Sequence, residues 1–146
     1  MSRWLALFAL LTATVVTATP PPPTITMSFE WRSPETLVVH VDSQDVHEDA
    51  TLIVAAGERV FTEQPFAIRK GRVEAFVTVP VANDVEDVNV RVMTPSGTAL
   101  LSDRLHIARD GSGGTRLMSR EEVEAMYAAQ REEERQRAVR TRYRKD

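Results

Sequence analysis

The chain of 146 residues contains no cysteine. That absence excludes disulfides, thiolate metal sites, cysteine catalysis and a lipidated cysteine anchor, so the fold must stand on packing alone. Only three histidines occur, His40, His47 and His106. No serine sits in a Gly-X-Ser-X-Gly frame, and no glycine-rich loop precedes a helix to cradle phosphate. Asn83 and Asn89 lie outside any Asn-X-Ser/Thr acceptor site. Paired carboxylates for glycoside chemistry exist in any acidic chain, but a domain of this size leaves little room for a deep pocket. The chain therefore reads as non-enzymatic.

What is present begins with an export pattern. Met1-Ser2-Arg3 is followed by the apolar run from Trp4 to Leu11 and a softer Thr/Ala/Val stretch that ends at Val16-Thr17-Ala18. A short positive region, an apolar core and small residues one and three places before the cut predict a cleavable signal over 1–18. The alternative is an uncleaved anchor, but the run of about 15 residues is shorter than the roughly 20 needed to cross a bilayer. Residues 19–23 hold four consecutive prolines and form an extended arm.

Residues 24–109 alternate with a period of two. Ile25, Met27, Phe29 and Trp31 begin the pattern; Leu37, Val39 and Val41 continue it. Leu52 to Val54, Val60-Phe61, Phe66 with Ile68, Val73 to Val79, Val88 to Val92 and Leu100 to Ile107 complete it. Turn signals fall between these runs, among them Lys70-Gly71 and Thr94-Pro95-Ser96-Gly97. Seven or eight short strands at this spacing predict an all-β fold. The expected form is a single antiparallel β-sandwich of immunoglobulin or fibronectin type, with a small barrel as the alternative. On this pattern His106 points to solvent from a late strand and Trp31 is buried.

Asp110 to Gly114 reads as a glycine-rich linker over 110–115. A charged C-terminal helix with a basic tail follows over 116–146. Ser119 and Glu122 form a capping box, with Met118 and Val123 as its hydrophobic staple. The helix should run to about Arg140, with a thin apolar face of Val123, Met126 and Tyr127.

Charge divides along the chain. Residues 19–110 hold 8 basic and 14 acidic side chains, net −6, whereas 111–146 hold 9 and 7, net +2. An acidic body argues against nucleic-acid binding, because phosphate neutralisation needs clustered cations. Two acidic turns, one with Asp42, Asp45, Glu48 and Asp49 and the other with Asp84 and Asp87, are candidate ligands for calcium, the one cofactor the residues suggest. A solvated turn is the plainer reading of each. Arg69-Lys70-Gly71-Arg72 forms a basic hairpin tip suited to an anionic glycan or lipid head group, or simply to water.

Partner-binding candidates are Val123, Met126 and Tyr127 on the helix face, and Arg135, Arg137, Arg140, Arg142 and Arg144 toward its end. The arginines could meet an acidic protein or an anionic membrane surface. These features predict an exported, periplasmic or extracellular, binding or assembly module whose partner is another envelope or extracellular protein. A chaperone-like accessory factor for an exported client is one alternative. A calcium-dependent adhesion or carbohydrate-binding domain is the other.

Overall fold

The structure, a computed structural model, describes residues 21–144 apart from Pro22, Ser33 and Gly113. The expected signal over 1–18, the start of the proline arm, and Lys145 and Asp146 lie outside the described residues.

Among the described residues eight antiparallel strands form two sheets. The smaller contains β1 (Ile25–Arg32), β2 (Thr36–Ser43) and β5 (Gly71–Thr78), in the order β1-β2-β5. The larger contains β3 (Thr51–Ala56), β4 (Arg59–Pro65), β6 (Val85–Met93), β7 (Ala99–Arg109) and β8 (Thr115–Leu117), in the order β4-β3-β6-β7-β8. Helix α1 (Arg120–Tyr143) closes the chain. This is the β-sandwich with a C-terminal helix that the alternation predicts. Among the described residues no helix is long and apolar enough to cross a membrane.

The core follows from register. In antiparallel pairs, opposed residues share a face. Leu37, Val39 and Val41 of β2 stand opposite Val77, Ala75 and Val73 of β5. In the other sheet Leu52 and Val54 stand opposite Val92 and Val90. These two faces meet, and Leu37, Val39, Val41, Leu52, Val54, Val88, Val90 and Val92 are fully buried. Each such side chain contributes about 1.5–3 kcal/mol relative to exposure. Phe66 and Ile68 also enter this core. They do not form the expected strand: Ile68 makes only an isolated bridge with His47, and the Phe66 N–H donates to the Ala50 carbonyl at 2.8 Å.

At the Thr94 turn the Gly97 N–H donates to the Thr94 carbonyl at 3.0 Å, and Gly97 has φ of 84°. A residue without Cβ suits that left-handed backbone.

The expected flexible linker is instead a closed turn. Asp110 Oδ1 accepts from the Ser112 N–H, the Ser112 hydroxyl and the Gly114 N–H at 3.0, 2.7 and 2.8 Å. These donors hold the Asp110 carboxyl below its ordinary pKa, with the Ser112 hydroxyl as the largest cause. The turn folds the chain back as β8, so the sandwich extends beyond residue 109 to Leu117.

Candidate binding groove along β7

β7 has eleven residues, but β8 has only three and pairs with Ile107, Ala108 and Arg109. One more bond follows, from the Met118 N–H to the His106 carbonyl at 2.8 Å. The chain then enters α1, and among the described residues the remainder of that side of β7 has no strand partner. Antiparallel pairing sends both backbone groups of alternate residues to the same side. The His106 carbonyl and the Asp110 N–H both face the β8 side. Ser102 and Arg104 share their parity, so their backbone groups face the free side. Among the described residues the Arg104 N–H is covered there by its neighbour, donating to Asp103 Oδ1 at 2.8 Å.

The start of α1 is held in place by two neighbouring devices. The first is the capping box: the Glu122 N–H donates to Ser119 Oγ at 3.2 Å, and the Ser119 N–H donates to Glu122 Oε2 at 2.7 Å. The second was not read from the sequence. Arg116 of β8 donates two hydrogen bonds to the Glu122 carboxylate, at 2.7 and 2.8 Å. The Arg116 guanidinium and the Ser119 N–H together lower the Glu122 pKa to about 2. The helix is thereby tied to a strand at its first turn.

Between α1 and the free side of β7 lies an open cavity of about 760 Å³. Phe29 of β1 forms one wall, Leu105 and Leu117 lie beside it, and Val123 and Tyr127 of α1 face it. Asp103, Arg104, Arg120 and Glu124 supply charge to its lining. His106 corrects its sequence expectation. It is buried, its ring edge-on to Tyr127 with centroids 5.7 Å apart. Its Nδ1 lies 4.0 Å from Asp87 Oδ1, and Arg104 Nε lies 3.4 Å from the same oxygen. Trp31 is half-buried, and its indole N–H donates to Thr115 Oγ1 at 2.9 Å. This bond joins β1 to β8 across the side of the sandwich, next to the groove.

Of the partner candidates, Val123 and Tyr127 line the groove, and Met126 is half-buried. Arg135, Arg137, Arg140, Arg142 and Arg144 lie on the exposed distal part of α1. Arg135 pairs with Glu132 and Arg137 with Glu133.

The acidic candidates are dispersed. Asp42 is engaged by Arg72 through two hydrogen bonds of 3.1 Å, and this contact is the main cause that lowers its pKa. Asp45 shapes its turn through the backbone, its N–H donating to Ser43 Oγ at 3.0 Å. Glu48 and Asp49 line a smaller cavity of about 250 Å³ with Thr94 and Pro95. Thr51 stands opposite Met93, so the turn before β3 shares an end of the sandwich with the end of β6. Asp84 and Asp87 lie at the start of β6, toward the other end. The two acidic turns therefore do not meet. Among the described residues no three His, Asp or Glu side chains converge as a cation site.

No protein-family model, curated protein or solved structure matches the chain.

Proposed function

We propose that this protein is a non-catalytic, exported binding module that accepts an extended segment of another envelope or extracellular protein along β7. The observation that carries the reading is the free side of Ser102 and Arg104 beside the groove. Strand addition uses such an edge for main-chain hydrogen bonds, and pockets for alternate side chains give selectivity. An added strand would direct one set of side chains toward Phe29, Leu105 and Leu117, and the other toward Val123 and Tyr127. The export component rests on the signal pattern of residues 1–18.

In two of the registers open to it, charge opposes pairing with the same edge of a second copy. Two-fold pairing centred on residue 103 sets Asp103 against Asp103, and pairing centred on 104 sets Arg104 against Arg104. Like charges directly opposed across strands are destabilising.

The test is a selection of extended peptides from a random library on the whole chain, followed by affinities for wild type, Arg104→Ala and Arg104→Pro. Alanine keeps the outward N–H. Proline deletes it without removing a bond of the β6–β7 ladder. Selected peptides should bind the proline variant about tenfold or more weakly than the alanine variant, a comparison that separates the N–H from the guanidinium, with circular dichroism confirming an intact sandwich. Equal binding to both variants, or a library that yields no binder, overturns the proposal.

A further inference from the structure

The face of α1 that points away from the groove carries a second pattern, independent of what the groove binds. Val123, Met126 and Tyr127 are half-buried, whereas every described residue from Ala128 to Arg144 is exposed. At 3.6 residues per turn, Ala125, Ala129, Glu132, Gln136, Val139 and Tyr143 fall in one line, opposite the groove-facing residues. The line has direction: its small residues lie near the sandwich and its large ones near the far end. Val139 and Tyr143 are 47% and 80% exposed.

Charge has the same direction. Residues 120–134 hold two arginines and six glutamates, net −4, and residues 135–144 hold five arginines and no acid, net +5. A helix with these properties is complementary to itself when reversed. From these two gradients we infer that α1 pairs antiparallel with α1 of a second copy through this outer face. In a register centred on Glu134, Ala129 lies opposite Val139 and Ala125 opposite Tyr143. Small residues then receive large ones at both ends, which permits close helix packing. In this register residues 135–144 of each copy, net +5, lie along residues 124–133 of the other, net −2. The interface is isologous, as two-fold symmetry requires, and leaves both grooves free. It also gives the distal helix the packing that an isolated helix lacks in water.

Sedimentation of the chain, as processed by the expressing cell, gives the first reading. A dimer should form at about 0.05 M salt and weaken toward about 1 M, where screening shortens the reach of charge to about 3 Å. Val139→Glu and Tyr143→Glu should each weaken it about tenfold or more; both sites are exposed, and circular dichroism verifies the fold. The absence of native cysteine permits a direct test of orientation. Ala129→Cys mixed with Val139→Cys should cross-link between copies under oxidation, while neither variant cross-links with itself. A monomer at every salt concentration overturns the inference and leaves the charge gradient to the helix's own dipole. Self-linking of Ala129→Cys overturns the antiparallel arrangement.

Discussion

The ring of Tyr127 stands edge-on to that of His106, with centroids 5.7 Å apart and planes at 82°. This contact joins a helix to the strand whose free side lines the groove. Edge-to-face aromatic pairs contribute about 0.5–1.5 kcal/mol beyond area burial. With the Arg116–Glu122 clamp one turn earlier, it fixes where α1 leaves the sandwich and makes the helix a built wall of the groove.

Replacing Tyr127 should therefore loosen this wall before it unfolds the domain. Tyr127→Ala is expected to lower the opening free energy of the first turns of α1 by about 1 kcal/mol. Amide hydrogen exchange over residues 120–127 measures this. Tyr127→Phe should restore protection, because the ring makes the contact. Equal exchange in wild type and Tyr127→Ala would show that the clamp alone holds the helix.

The clamp has its own signature in pH. The folded pKa of Glu122, about 2, lies below its ordinary value of 4.5. Its stabilising contribution is therefore complete above the ordinary value and is lost as pH falls from there toward about 2. Carboxyl chemical shifts should show Glu122 titrating at about 2, well below its ordinary value of 4.5. Arg116→Ala should move that titration upward, while the Ser119 N–H contact keeps it below 4.5. No upward movement would remove Arg116 from the helix anchor.

The contrast between Val90 and His106 shows how far the sequence could be read. Val88, Val90 and Val92 announce both strand and inner face, because β-branched alternation fits a pleated, half-buried surface. The capping box is equally local, and Ser119 and Glu122 occur where it places the helix start. His106 is buried by Tyr127, a residue from another element that alternation within β7 cannot reveal. β8 is a strand of only Thr115, Arg116 and Leu117, too short for periodicity, and the glycines before it suggest a flexible chain. Asp110 converts that stretch into a turn. The groove depends on β8 being shorter than β7, so no motif marks it. Val123 and Tyr127 were legible as an apolar face, but their opposite wall at Phe29 was not.

Asp103 protects the free side of β7. Its carboxylate occupies the outward Arg104 N–H, and a charged residue on an edge strand discourages pairing with other chains. Asp103→Ala should leave the fold intact and make the edge more receptive. Peptides selected on wild type should bind this variant severalfold more tightly, and heating should aggregate it sooner. Weaker peptide binding would instead show that Asp103 contacts the incoming strand rather than competing with it.

Glu86 provides a test of the sandwich itself. It occupies an inward position at the start of β6 and is 4% exposed. Burial alone would raise its pKa, but the Ala82 N–H, Arg59 and the Asn83 N–H outweigh burial and hold the pKa below the ordinary value. Their distances to Oε1 are 3.0, 2.8 and 3.2 Å. A carboxyl whose folded pKa is depressed stabilises the fold above its unfolded pKa and loses that contribution as pH falls through the folded value. Glu86→Gln keeps an acceptor oxygen but removes the charge. It should cost about 1–3 kcal/mol at neutral pH and little under strongly acidic conditions, where the wild-type carboxyl is also neutral. Denaturant unfolding of both proteins across the acid range should therefore show their stabilities converging as pH falls. A constant gap at all pH values would mean that packing around Glu86, rather than its charge, holds this end of the sandwich.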